Sequence, residues 1–241
     1  MDYKIVEKIA KDFRVNTQVS SKIRTLRKKM FNGVATYKDA NTYAIETAKA
    51  LGKALRSNLG TDALSAAEYK EIVGEVIPDS LRSIHNTISE YTKAVQQGIN
   101  ENAKIGLKAV VPDINAENVA AITRKAASVS AYSEVAGTID QETMNFAQTV
   151  GTKMMKENAK FQEDVGLYVY IERIYDDVGL RADTKYAEPC DWCLEREGYW
   201  SYGDAYANGA FERHPGCSCT IIFHTGKGAS VQTDWKHNKW D

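Results

Sequence analysis

Residues 79–99 read DSLRSIHNTISEYTKAVQQGI, and their spacing decides the fold class. Leu81, Ile84, Ile88, Tyr91 and Val95 follow one another in alternating steps of three and four, which lines them up along one face of an α-helix. Ile99, Ala103 and Leu107 continue the seam. A stripe this narrow belongs to bundle or coiled-coil packing, not to a helix lying on a broad globular face. The stretch therefore predicts a long amphipathic helix packed among others.

Working outward, the same helical character extends over residues 1–178. Ile5, Ile9 and Phe13 share a face near the start, with charges between them. From Ser21 the run KIRTLRKKM carries five basic residues and no acid. A solvated helix face, or contact with an acidic surface, explains that run more simply than phosphate binding. Thr36 and Asp39 form a candidate capping box for a helix over 37–58, and Ser65 with Glu68 another for a short helix ending at Pro78. Pro78 and Pro112 are the two prolines of this region, and both fall where a helical pattern breaks. Further helices are expected after Asp113–Asn115 and over 141–176.

The chain has 241 residues, 43% of them hydrophobic, with a formal net charge of −1. That balance disfavours wholesale nucleic-acid binding. No stretch approaches the roughly 20 apolar residues that cross a bilayer. MDYKIVEKIAKDF lacks the apolar core of a secretory signal, so a reducing cytoplasm is expected. All four cysteines fall between 190 and 219, and in such a compartment that clustering reads as metal binding before disulfides.

After Gly179 the composition shifts to aromatics, glycines and cysteines. TIIF at 220–223 is a β-type run, Gly226-Lys227-Gly228 a turn, and VQTDW at 231–235 alternates like a strand. A boundary near 178–182 is predicted. It gives a helical region, 1–178, followed by a β-rich module, 179–241, too small for a generous core without a staple.

The staple is read from two turns. Cys190-Asp-Trp-Cys193 places two thiols on one tight turn, and His214-Pro-Gly-Cys217 repeats the spacing with imidazole first. Two such turns can close a tetrahedron around Zn²⁺. Cys219, two residues after Cys217, is a fifth candidate for four positions. The favoured set is Cys190, Cys193, His214 and Cys217, with an all-cysteine site as its rival. Thiolate-rich sites are structural more often than catalytic. Incidental disulfides account less well for two chelate-spaced pairs and a spare ligand. Pro189-Cys190-x-x-Cys193 matches half of a zinc deaminase signature, but the required H-x-E is missing, since His85 is followed by Asn86 and Thr87. His224 and His237 read as polar surface. Trp192, Trp200, Trp235 and Trp240 read as packing around the metal before nucleobase stacking. Glu195, Arg196 and Glu197 read as surface charges.

The string EPCDWCLEREGYWSYGDAYANGAFERHPGCSCTIIF resembles the C-terminal region of phage minor head proteins, also called head morphogenesis or minor capsid proteins. The resemblance rests on Cys190/Cys193, Gly198-Tyr199 and His214-Pro215-x-Cys217-x-Cys219-Thr220, and on the ending VQTDWKHNKW. It covers about the last 60 residues; Ser218 departs from it, standing where arginine is common. It implies a non-enzymatic, low-copy component of the virion, inside the capsid and assembled in the host cytoplasm. The implied partners are the portal or other capsid proteins and copies of itself, with contact to packaged DNA through Lys22–Lys29. The expected fold is mainly α: an elongated helical bundle with a small C-terminal zinc-stapled module.

Overall fold

The computed structural model describes residues 3–60, 64–175, 190–214, 216–217 and 219–226. It is mainly helical, with a small antiparallel sheet near the C-terminus. The helices are α1 (Tyr3–Val19), α2 (Ser21–Phe31), α3 (Tyr37–Leu59), α4 (Ala66–Asn102), α5 (Ala116–Ala126) and α6 (Ala136–Asp164). Then come β1 (Tyr168–Ile174), α7 (Asp191–Leu194), β2 (Gly198–Ser201), α8 (Tyr202–Ala207) and β3 (Thr220–Gly226).

Both capping boxes form. Asp39 N–H donates to Thr36 Oγ1 at 3.2 Å while Thr36 N–H donates to the Asp39 carboxylate at 3.0 Å. Ser65 and Glu68 repeat the exchange at 3.3 and 2.9 Å. Each box satisfies two backbone donors that the first helical turn leaves orphaned. The helix expected after Asp113–Asn115 is α5, capped by Asn115, which accepts from Asn118 N–H at 3.0 Å.

The seam residues Leu81, Ile84, Ile88, Tyr91 and Val95 are all buried. The seam stops with α4 at Asn102, short of Ala103 and Leu107, and α6 begins at Ala136 rather than 141; two larger differences from expectation remain. The helix that should end at Pro78 instead runs straight through it, so α4 reaches Asn102. Proline inside a helix costs about 3 kcal/mol. Burial outweighs it: Tyr69, Ile72, Val73 and Ile77 precede Pro78, Leu81, Ile84 and Ile88 follow it, and all are at most 1% exposed. At roughly 1.5–3 kcal/mol per large apolar side chain, keeping both faces in one register is worth several times the proline penalty.

The second difference lies near 165. A helix was expected over 141–176, but α6 ends at Asp164 and the chain turns into a strand. Gly166, in the left-handed region at φ 81°, makes the break. Gly166 N–H donates to the Glu163 carbonyl, and Leu167 N–H to that of Gln162, closing the helix end. Residues 168–174 then alternate in burial, with Val169, Ile171 and Arg173 facing inward.

β1 is the central strand of the sheet, whose order is β2-β1-β3 with both neighbours antiparallel. Ile171 lies opposite Trp200 on one side and Phe223 on the other. The sheet packs on α3 and α6, and Tyr37 of α3 meets Phe223 edge-on at 6.4 Å. One hydrophobic cluster runs from Ile9 of α1 to Phe223 of β3. The expected boundary at 178–182 lies outside the described residues, as do the turn at 226–228 beyond Gly226 and the candidate strand 231–235.

A buried polar ladder crosses the bundle. Gln96 and Gln162 each donate to Asn100 Oδ1 at 2.8 Å, and Asn100 donates to the Leu107 carbonyl at 2.9 Å. Asn158 accepts from Val110 N–H and donates to its carbonyl, both at 2.8 Å. These bonds satisfy the backbone of the irregular segment after α4, which burial would otherwise penalise. No helix among the described residues is long and apolar enough to cross a membrane.

Candidate metal centre

Three pieces of chain build the site at one end of the sheet. Cys190 caps the single turn of α7, and Cys193 N–H donates to the Cys190 carbonyl at 2.8 Å, bringing both side chains to one side. Beyond α8, Cys217 N–H donates to the His214 carbonyl at 3.0 Å, the same knuckle in its second copy. Gly216 takes φ 77°, a conformation that side-chain-bearing residues rarely adopt, so glycine is needed there. Cys219 follows directly before β3.

The five expected donors fall into two groups that share Cys193. The ligating atoms of Cys190, Cys193 and His214 lie within 4.8 Å of one another, as do those of Cys193, Cys217 and Cys219. Cys193 belongs to both groups and sits at the middle of the cluster. Cys193, Cys217 and Cys219 are buried, Cys190 and His214 half-buried. The four cysteines are free thiols, with no disulfide among them. This donor set can hold a metal ion.

The spacing can be compared with coordination geometry. Ligands at about 2.3 Å for sulfur and 2.0–2.1 Å for nitrogen put tetrahedral edges at about 3.8 Å for S–S and about 3.5 Å for S–N. Cys193 Sγ lies 3.9 Å from Cys217 Sγ, and Cys190 Sγ lies 3.5 Å from His214 Nε2, matching those edges. Cys193 Sγ to His214 Nε2 is 2.9 Å, shorter than an edge.

Thiols this close compete for one negative charge. Hydrogen bonds from Cys193 and Cys219, then the guanidiniums of Arg213 and Arg173, hold the Cys217 thiol far below its ordinary pKa. Hydrogen bonding to Cys217 pushes Cys193 far above its own. A divalent ion ends that competition by letting neighbouring sulfurs ionise together.

Two residues that the sequence did not single out complete the site. Arg173, at the inward position of β1, directs Nη2 at Cys217 Sγ and Cys193 Sγ, 3.6 and 3.9 Å away. Arg213 donates from Nε to Thr152 Oγ1 at 2.9 Å and from Nη1 to the Cys219 carbonyl at 2.8 Å. Gln148 of α6 lies 3.0 Å from the Cys217 carbonyl and 3.2 Å from Arg213 Nη1, so its nitrogen donates to the first and its oxygen accepts from the second. Burial lowers the Arg213 pKa, opposed by the neighbouring Cys217 sulfur. The signal for Arg173 was the alternation Val169-x-Ile171-x-Arg173, hidden because the stretch was read as helix.

Of the remaining candidates, Trp192 stays beside the cluster, while His224 falls away from it. His224 points to the outer sheet face, where Nε2 is 2.8 Å from Glu172 Oε2 and its ring stacks on Tyr170. Trp192 packs against the site: its ring lies under Arg196 at 4.1 Å and Arg173 at 5.1 Å, and meets His214 edge-on. Trp200 donates to the Arg196 carbonyl at 3.2 Å. Glu195 is exposed, and Glu197 accepts from Tyr175 N–H at 3.4 Å. His237, Trp235 and Trp240 lie outside the described residues. His85 sits on α4, beside Asn86.

In the basic run of α2, Lys22 pairs with Glu46, Lys29 with Asp39, and Arg27 donates to Tyr43 Oη. No protein-family model matches the chain, and no curated protein or solved structure matches it either.

Proposed function

We propose that this chain is a minor capsid protein of a phage head: a non-enzymatic structural component in which a zinc ion fastens the C-terminal sheet to a helical bundle. One observation carries the reading. The cysteines and histidine of the C-x-x-C and H-P-x-C-x-C motifs, on which the resemblance to minor head proteins rests, form two donor groups that share Cys193, tied to the bundle through Arg213–Thr152 and Gln148.

Three of the thiols are buried and two guanidiniums press on them. That favours a structural ion over a catalytic one, which keeps an open coordination position. The helical bundle supplies docking surface for the portal or for further copies inside the capsid. DNA contact through the basic run is weakened, because Lys22, Arg27 and Lys29 are engaged within the chain. Arg24 and Lys28 are further exposed cations of the run, beside the exposed but ion-paired Lys22 and Lys29.

The test is composition of the particle. Heads purified from the phage or induced prophage that encodes the chain should contain it in low copy, lost when the portal is deleted. Heads that assemble, package DNA and lack the chain would refute the assignment.

A further inference from the structure

Arg173 is 1% exposed, and among the described residues none of its partners is a carboxylate. Nη1 donates to the carbonyls of Ala210 and Glu212 at 2.8 and 2.7 Å, and Nη2 faces the sulfurs of Cys217 and Cys193. Arg213, half-buried, is also held without a described carboxylate partner. Its partners are Thr152 Oγ1, the Cys219 carbonyl, Asn41 Oδ1, the Gln148 amide and, at 3.9 Å, Cys217 Sγ. Arginine does not shed its proton in proteins, and a buried charge without a counter-charge is strongly disfavoured. Among the described residues, the sulfur cluster is the anionic group that both guanidiniums face.

We infer that Arg173 and Arg213 set the ligand chemistry of the centre: it is an all-cysteine site of Cys190, Cys193, Cys217 and Cys219, with His214 outside it as an N–H donor to sulfur. The inference rests on the zinc reading above and deepens it. A divalent ion with four thiolates carries two negative charges, which the two guanidiniums cancel. With three thiolates and a neutral imidazole it carries one, and a buried positive charge is left over.

Geometry points the same way. His214 Nε2 is 2.9 Å from Cys193 Sγ, too close for the two to share a tetrahedral ion, whose S–N edge is about 3.5 Å. The 3.5 Å from His214 to Cys190 fits either role. The 3.9 Å between Cys193 and Cys217 suits co-ligands, and Cys219 lies within 4.8 Å of both; Cys190 groups instead with Cys193 and His214, so a four-sulfur site requires its side chain to close on Cys217 and Cys219. Arg173 and Arg213 are positioning residues. They touch the ligands, anchor them to β1, α3 and α6, and balance their charge.

The test begins on the wild-type full chain, purified with zinc and examined by X-ray absorption at the zinc edge. Four sulfur neighbours at about 2.3 Å are expected; three sulfurs and one nitrogen would overturn the inference while leaving the zinc reading intact. A chain that binds no divalent metal would overturn both. Cobalt substitution then separates the candidates. His214→Gln should keep the wild-type cobalt spectrum, and Cys219→Ser should shift it; the reverse pattern contradicts the ligand set. Arg213→Met should weaken zinc binding in chelator competition by roughly tenfold to a hundredfold, with partial rescue in Arg213→Lys. Unchanged affinity in both Arg213→Met and Arg173→Met would remove the arginines from the account.

Discussion

The bundle and the sheet module obtain their structure from different chemistry. In α1–α6 the interior is apolar and continuous: Leu51, Leu55, Ile77, Leu81, Ile84 and Ile88 are fully buried, and the polar ladder on Asn100 serves one irregular loop. At the far end of the sheet the interior consists of three buried cysteines, Arg173 and the half-buried Trp192. The first region can fold on hydrophobic burial alone. The second places two cations against thiols in a space too small to repay their desolvation by packing; on the proposed reading an ion lets those thiols ionise and so balance the cations. The comparison teaches that burial means opposite things in the two places. In the bundle it is the driving force, and at the cluster it is a cost that coordination must offset.

The largest expected effect comes from removing the central sulfur. Cys193→Ser should abolish tight metal binding, since Cys193 belongs to both donor groups. A structural zinc contributes on the order of 10 kcal/mol at neutral pH, so residues 190–226 should lose protection from hydrogen exchange. The helices α3, α4 and α6 should keep theirs. Equal loss in both regions would break the distinction.

An intermediate effect is expected from the converse change. Ile84→Ala, at a site with no exposure, should cost about 2–5 kcal/mol by cavity formation. Thermal unfolding should reflect that loss, while zinc content stays at the wild-type ratio. A variant that also loses its metal would show that the centre depends on the bundle more than the comparison allows.

The smallest effect concerns the α3 cap. Burial pushes the Asp39 carboxyl up, but hydrogen bonds from Lys29 and Thr36 outweigh it and hold the group below its ordinary range. A group depressed on folding contributes stability that is complete above its unfolded pKa and is lost as pH falls through its folded one. Asp39→Ala should therefore cost about 1 kcal/mol at neutral pH, and the gap from wild type should close in acid. Denaturant midpoints measured across the acid range check this. A gap that widens in acid would contradict the assigned cause.

Sequence and structure agree where one physical rule acts alone. The seam from Leu81 to Val95, both capping boxes and the five clustered donors were all legible, because periodicity, side-chain chemistry and chelate spacing are local properties. Pro78 was misread because its penalty is local while the burial that overrides it comes from α3 and α6. The strand at 168–174 was missed because a long helical context masked a two-residue alternation that begins just after Gly166. Arg213 carried no sequence signal of its own, and that of Arg173, the alternation with Val169 and Ile171, was hidden by the helical reading. Their role exists only once β1 is placed at the centre of the sheet and the HPxC knuckle is docked on α6.

The central claim is that an ion holds the sulfur cluster together, and metal analysis of the purified full-length chain tests it most directly. One zinc per chain is predicted, retained through gel filtration, with its removal by a strong chelator collapsing the near-ultraviolet signal of Trp192. A metal-free chain whose aromatic signal and hydrogen-exchange protection over residues 190–226 match those of the zinc-loaded protein would contradict the account.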